Sequence, residues 1–212
     1  MVNMEIGDCF TFEPAKGIPV HNWFYYKEAY SPQLVGWALE ELGVVGAETG
    51  NQGRKAVFDP FCGIGTTMLY AKEHGLLGIG IDVSPLALFV SKTKCADYSE
   101  KDAQEAEKEL KGIFSERREA GWGWEFELFH PSRFFGKRNY NDICFLRERV
   151  EGIGNEKVGG LFLLALLSIL PQCGFFIKDG GVLREQKGKS AMPVKDAFRR
   201  KVKRMLADLR ER

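Results

Sequence analysis

The chain has 212 residues, 44% of them hydrophobic and 28% charged, with a formal net charge of +1. That length builds one good-sized domain, or one domain with an insertion, and the composition is that of an ordinary soluble globular protein. It argues against a membrane span, because the longest apolar run, Leu161 to Leu170, is about half the ~20 residues a span needs.

The near-neutral total hides an asymmetry. From Arg184 to Arg212 there are eleven Lys/Arg and four Asp/Glu, a net of +7, which leaves −6 on the remainder. A basic terminal segment on an acidic body points to contact with nucleic acid or with an acidic partner. The N-terminus, MVNMEIGDCF, lacks the basic-then-apolar layout of a signal peptide, so a cytoplasmic location is expected. Cys9, Cys62, Cys95, Cys144 and Cys173 are scattered and form no CxxC pair, which argues against a disulfide framework and a zinc site. His21, His74 and His130 show no ligand spacing either, and no metal is expected.

In chain order, residues 1–20 read as irregular, broken by Pro14, Gly17 and Pro19. HNWFYYKEAYSPQLV (21–35) follows, rich in aromatics, and its Ser31-Pro32 is a helix start with Ser as N-cap and Pro at the first helical position. Leu34, Val35, Ala38 and Leu42 recur on one face, and Gly43 closes that helix. Residues 46–55 read as a Gly-rich polar loop. Lys55 to Phe58, ending at Asp59, reads as a short buried strand, and a Gly-rich turn leads into a helix from about Thr66 to Glu73. LLGIGIDV is a second strand ending at Asp82, and Ser84-Pro85 repeats the Ser-Pro start for a helix to about Lys94. This order predicts a βαβ unit with two parallel neighbouring strands.

Beyond Cys95 the character changes. Residues 99–120 read as a charged helix with a narrow apolar stripe, closed by Gly121, and the aromatic segment WGWEFELFHPSRFF follows. A helical pattern runs near Asn141 to Ile153, a helix apolar on nearly all sides spans Val158 to Leu170, and a basic helix runs from about Pro193 to Leu209. No second clear strand is expected after Asp82. The predicted division is 1–97, α/β, and 98–212, largely helical with a basic C-terminal helix.

The chemistry concentrates in the first part. A glycine-rich turn between strand and helix lets a ligand approach the backbone at the positive end of the helix, and Gly63 and Gly65 supply that access. Asp59 sits at the carboxyl end of the first strand, where open parallel sheets bind ligands. Asp82 ends the second strand 23 residues further on, close to the ~20 expected of an acid that accepts from ribose hydroxyls. A nicotinamide cofactor would suit the same acid, but Gly63-x-Gly65 is followed by Thr66, Thr67 and Met68, so the third glycine of GxGxxG is missing. No GK[ST] is present, which argues against a nucleoside-triphosphate loop.

DPFCGIGTT (59–67) is very similar to the S-adenosylmethionine motif of the DNA methyltransferases that act on exocyclic amino groups, usually DPFCGSGTT. GIDVSPLAL (80–88) resembles the strand that follows in that family, and HNWFYYKEAYSPQLV resembles the preceding cofactor element in members that place it first. Ile64 stands where Ser is usual, which removes a hydroxyl but no glycine. The resemblance implies an α/β fold with part of a Rossmann-like class I methyltransferase sheet, and S-adenosylmethionine as cofactor. By the same resemblance Asp59, helped by backbone at Phe61 and Gly63, fixes the amino end of the methionine moiety. Gly65 completes the turn, and Thr66 and Thr67 hold the carboxylate at the helix start. Asp82 takes the ribose hydroxyls, Val83 packs on adenine, and Tyr25, Tyr26, Ser31 and Pro32 close the other wall.

The family's catalytic motif, Asp/Asn/Ser-Pro-Pro followed by Tyr, Phe or Trp, is absent, since no two of the eight prolines are adjacent. Asn139-Tyr140-Asn141-Asp142 offers an amide and a ring but no proline, and reads as preceding a helix rather than ending a strand. No catalytic residue is therefore expected here. Residues 96–212 resemble a helical segment that precedes the third strand and the catalytic motif in relatives of this arrangement. The resemblance implies the cofactor-binding half of a split DNA methyltransferase acting on cytosine or adenine, with a second polypeptide, or self-association, completing it. Arg199, Arg200, Lys201, Lys203 and Arg204 would contact DNA phosphates or that partner. A non-catalytic remnant or nucleic-acid-binding module is the alternative, and an RNA base methyltransferase ranks below both, because no RNA-binding domain is visible in the 20 residues before the first motif.

Overall fold

The computed structural model describes residues 6–44, 55–115, 123–124, 130–179, 182–186 and 188–211. The loop read at 46–55, the helix extension over 116–120 with its closing Gly121, and much of the aromatic segment before His130 lie largely or wholly outside the described residues. The chain divides into two compact units, Met1–Asp97 and Tyr98–Arg212.

In the first unit, α1 (Ile6–Cys9) and two short 3-10 turns (Glu13–Gly17 and His21–Trp23) precede α2 (Pro32–Glu41). Strand β1 (Ala56–Asp59), α3 (Thr66–Glu73), β2 (Leu77–Gly80) and α4 (Pro85–Cys95) follow. The two strands pair in parallel, Ala56 opposite Leu77 and Asp59 opposite Gly80. This is the expected βαβ order, and α3 packs on both strands and on α2 and α4. Val35 and Leu39 of α2, Ala71 of α3 and Leu76 form the core there, with Val57 and Tyr70 against them. Strand residues alternate faces, so Val57 turns toward that core while Phe58 and its partner Ile79 turn the other way. Phe58 is 59% exposed and Ile79 48% exposed, so one face of the strand pair is apolar and open.

The two Ser-Pro helix starts behave differently. Ser84 caps α4 by accepting the Ala87 N–H at 3.3 Å. Ser31 occupies the N-cap position of α2 with extended backbone, but its side chain makes no capping bond.

The second unit holds α5 (Glu100–Ile113), α6 (Ser132–Phe135), α7 (Lys137–Glu151), α8 (Glu156–Cys173), strands β3 (Phe176–Asp179) and β4 (Val182–Glu185), and α9 (Val194–Arg210). α8 is the one helix among the described residues long and apolar enough to cross a membrane. Here it is a core helix, with Val158, Leu161, Phe162, Leu164, Ala165, Leu166, Ile169 and Cys173 buried and α5, α7 and α9 packed on it. Two adjacent caps tie this unit together. Ser99 and Asp102 form a capping box at the start of α5, and Asn155, whose Oδ1 caps α8, donates through Nδ2 to Asp102 and Glu105, both at 2.9 Å. The Asn155 hydrogen bond is therefore the main reason that the Asp102 carboxyl is held down at about 2, with the Ser99 N–H and hydroxyl adding to it.

Four expectations are corrected. β1, read as a buried strand, has no fully buried residue, and β2 ends at Gly80, two residues short of Asp82. β3 and β4 form an antiparallel hairpin, Phe176 opposite Glu185, where no strand was expected after Asp82. α7 begins at Lys137, so Asn139 to Asp142 lie inside a helix and do not precede one.

Candidate cofactor site

The site grows from the ends of β1 and β2. Asp59 is the last residue of β1, and beyond it the chain turns through Pro60 to Gly65 before α3 begins. Gly65 takes the left-handed conformation at φ +78°, which lets its carbonyl accept the Leu69 N–H at 2.9 Å and open the helix. A Cβ on Gly65 would lie 2.2 Å from Ser91 Oγ and 3.0 Å from Ser91 Cα, so the turn sits flush against α4. Gly63 is also left-handed, at φ +50°, but a Cβ there would meet nothing closer than the Phe61 carbonyl at 4.0 Å. The two glycines thus do different jobs. Gly65 permits packing, and Gly63 leaves open space at the turn.

Two carboxylates bind the turn from either side. Asp59 Oδ1 accepts the Phe61 N–H at 3.0 Å. Asp82 Oδ2 accepts the Gly63 N–H at 2.8 Å, and its Oδ1 accepts the Ser84 N–H, also at 2.8 Å. The Cys62 N–H donates to the Ile81 carbonyl at 3.0 Å, continuing the strand pairing into the turn. Each of these three backbone-bonded oxygens, Asp59 Oδ1 and Asp82 Oδ1 and Oδ2, keeps lone-pair capacity beyond its one backbone donor. Lys94, only 1% exposed, donates from α4 to the Ile64 carbonyl at 3.2 Å and holds the turn from beneath.

Tyr30 was not singled out from sequence, yet it joins the motif. Its hydroxyl donates to Asp59 Oδ2 at 2.9 Å and lies 2.6 Å from Thr67 Oγ1, while Thr66 Oγ1 donates to the Tyr30 carbonyl at 3.3 Å. Burial, with the Asp59 carboxylate adding to it against the Thr67 hydrogen bond, pushes the Tyr30 hydroxyl up to about 12. Burial likewise raises the Cys62 thiol, with Asp59 and Asp82 adding their charge.

The other residues expected here divide. Ser31 and Pro32 are buried beside Tyr30, and Ser31 Oγ has no hydrogen-bond partner among the described residues. Thr66 and Thr67 are buried at the start of α3. Phe61 is 84% exposed and Val83 fully exposed, apolar side chains with no cover. Tyr25 is exposed, and its ring lies edge-on to Phe12 at 5.3 Å with Lys16 over it at 5.4 Å. Tyr26 is half-buried. It is Tyr30, four residues beyond Tyr26, that reaches the carboxylate.

An acid at the end of β1, a second two residues past β2, a glycine turn with room above it, a buried hydroxyl without a partner among the described residues and two bare apolar side chains fit S-adenosylmethionine. The amino and ribose hydroxyl groups suit the carboxylates, and adenine suits Val83 and Phe61.

Asn139 shows no such openness. Its amide donates to the carbonyls of Cys173 at 2.8 Å and Met192 at 3.0 Å and accepts from the Val194 N–H at 3.3 Å, a structural tie inside the second unit. Tyr140 exchanges hydrogen bonds with the backbone of Trp124. Among the described residues no group of three or more His, Cys, Asp or Glu could hold a metal ion. On α9, Arg199, Arg200, Lys203 and Arg204 are exposed. Lys201 is half-buried, and burial, with Arg204 adding to it, lowers its ammonium to about 8.

No family model matches the chain, and no solved structure does. Among characterised proteins it is similar to the type II methyltransferase M.BsoBI of Geobacillus stearothermophilus, 30% identical over 177 residues, which are 82% of this chain and 33% of that protein. It is 33% identical over 100 residues to M.MjaII of Methanocaldococcus jannaschii, covering 47% of this chain and 17% of that protein. M.AvaI of a Nostoc species is 33% identical over 76 residues, 36% of this chain and 14% of that one. The chain thus spans about a third or less of the length of these relatives. Its relatives are type II methyltransferases.

Proposed function

We propose that this chain is the S-adenosylmethionine-binding part of a DNA methyltransferase that modifies an exocyclic amino group of cytosine or adenine. The catalytic Asp/Asn/Ser-Pro-Pro-aromatic motif, absent from these 212 residues, is supplied by residues outside them. The observation that carries the reading is the pair of carboxylates around one left-handed glycine turn, Asp59 at the end of β1 and Asp82 two residues beyond the end of the parallel neighbour β2. Similarity to type II methyltransferases over most of the chain supports it.

Bound S-adenosylmethionine supplies an electrophilic methyl group on a sulfonium. This chain's residues bind and orient. Asp59, kept in place by Tyr30 and the Phe61 N–H, accepts from the amino group. Thr66 and Thr67 stand at the start of α3, where the helix end favours a carboxylate. Asp82 accepts from the ribose hydroxyls, and Val83 and Phe61 close on the adenine faces. Nothing among these groups would position an exocyclic amine, which is why the second set of residues is needed.

The open apolar face of the strand pair supports completion by further elements. Parallel sheets are covered on both faces in folded proteins, and two strands alone make a poor sheet. Phe58 and Ile79 belong to a Rossmann-like class I sheet whose other strands and covering helices likewise lie outside these 212 residues.

Calorimetry with S-adenosylmethionine tests the cofactor claim. Wild type binds, and Asp82→Ala loses binding. Asp82→Asn keeps an acceptor for one backbone N–H and separates loss of the turn from loss of the ribose contact. Unchanged affinity in both variants removes Asp82 from the site. The division of roles is tested by supplying these 212 residues with a polypeptide carrying the catalytic motif: methyl transfer to DNA requires both, and cofactor binding with no transfer in the mixture overturns it.

A further inference from the structure

The second unit contains a groove of about 630 Å³ between α5 and α9, a size within the range of ligand sites. Its walls carry four cations, Lys111 from α5 and Arg199, Lys203 and Arg210 from α9, against one carboxylate, Glu107. Glu107 is already engaged by Arg210. Among the described residues Lys111, Arg199 and Lys203 make no ion pair. Leu110 and Leu206 form a buried floor, and the guanidinium of Arg199 lies 4.3 Å over the Phe114 ring. Stacking on a ring uses the guanidinium face and leaves its N–H edge free to grip a phosphate oxygen.

The spacing on α9 forms a stripe. Arg199, Lys203 and Arg210 lie four and seven residues apart, within about 40° of one another around the helix and along about 16 Å of its axis. Arg200 and Arg204 are exposed too, but lie about 100° further round, away from this groove. The basic helix therefore has two cationic faces, and the one with Arg199, Lys203 and Arg210 lines this groove.

We infer that the α5–α9 groove holds the phosphodiester backbone of a DNA duplex, gripped by Lys111, Arg199 and Lys203. Two unpaired cations one turn apart on α9, Arg199 and Lys203, faced by Lys111 across the groove, suit a polyanion of regular charge repeat better than a single small anion. The choice of DNA as the polyanion rests on the function proposed above; the groove and its charge do not.

The test is fluorescence anisotropy of the 212-residue chain with a labelled 20-base-pair duplex from about 50 to 200 mM salt. Each phosphate contact contributes a log–log slope of about −0.9, so Arg199→Ala/Lys203→Ala reduces the slope by about two. Across that fourfold change in salt the salt sensitivity falls roughly tenfold. Arg200→Ala/Arg204→Ala removes the same charge from the same helix and leaves the slope within half a unit of wild type. Lys111→Glu, exposed on the opposite wall, weakens binding as the first pair does. Equal effects of the Arg199/Lys203 and Arg200/Arg204 double substitutions would mean diffuse attraction to the whole helix and would overturn the assignment. Competition by poly-glutamate as effective as by unlabelled duplex, charge for charge, would overturn it in favour of an acidic polypeptide. Calorimetry with S-adenosylmethionine reads the first unit and is unmoved by these substitutions, so failure of the groove and failure of the cofactor reading are told apart.

Discussion

Gly65→Ala should separate the packing role of the turn from its ligand role. The new methyl group would be 2.2 Å from Ser91 Oγ, 2.7 Å from Ser91 Cβ and 3.0 Å from Ser91 Cα. The hydroxyl can rotate away, but the Cβ and Cα cannot move without shifting α4 against α3. A left-handed conformation in a non-glycine residue adds about 1–2 kcal/mol. Forcing a methyl group into a filled interface adds about 1–3 kcal/mol. Together they destabilise the first unit by roughly 2–5 kcal/mol, a large share of the 5–15 kcal/mol typical of a folded domain. In urea, at a slope of about 2 kcal/mol per M, the midpoint of that unit falls by roughly 1–2.5 M. Far-UV circular dichroism follows the melt, and hydrogen exchange of α3 amides assigns the loss to this unit. Ser91→Gly in the same chain relieves the Cβ clash, so the double variant is more stable than the sum of the singles by about 1–3 kcal/mol. A Gly65→Ala melt within 0.5 kcal/mol of wild type would refute the reasoning, because neither the clash nor the φ strain could then be real.

Val83 is fully exposed, so Val83→Ala should leave stability unchanged. At about 0.8 kcal/mol per buried methylene, losing two carbons should weaken S-adenosylmethionine binding roughly five- to fifteenfold by calorimetry. Tyr30→Phe leaves Asp59 Oδ2 and Thr67 Oγ1 short of a partner and should cost about 1–2 kcal/mol in a urea melt. The Tyr30 phenol is raised from 10.0 to about 12 in the fold, so it favours the folded state below pH 10 and that contribution is lost as pH climbs to about 12. The Phe variant should lack that alkaline loss and one late phenolate transition in an ultraviolet titration. Asp102 is lowered from 3.8 to about 2, so its contribution is present above pH 4 and lost as pH falls through about 2. Asp102→Asn should flatten the acid limb of the second unit's stability, and an unchanged limb would assign acid unfolding to other carboxylates.

The βαβ unit was legible because its punctuation is chemical. Ser-Pro before α2 and α4, and the glycines before α3, leave the backbone few alternatives, and the structure starts all three helices there. The β3–β4 hairpin was not, although Asp179-Gly180 is among the strongest short hairpin signals in a sequence. Its strands have four residues each and continue an apolar run shared with α8, so period alone could not divide them. Tyr30 and Lys94 were missed for a different reason. Five aromatics within ten residues give no period that says which one turns inward, and a lysine near the end of a helix reads as a solvated charge. Burial of Lys94 against the Ile64 carbonyl is a tertiary fact, fixed by what the neighbouring segment leaves unsatisfied.

Cys62 gives the cofactor turn a built-in chemical clock. Its thiol is buried, its ionisation is suppressed by burial and two carboxylates, and the backbone of Gly80 passes so close that a Cβ there would lie 2.9 Å from the sulfur. A thiol reagent can therefore reach it only when the turn lifts from β2. The labelling rate at Cys62, read by mass spectrometry against the half-buried Cys95 as the fast internal standard, measures how often that happens. A ligand seated between Asp59 and Asp82 would slow the clock without touching the sulfur.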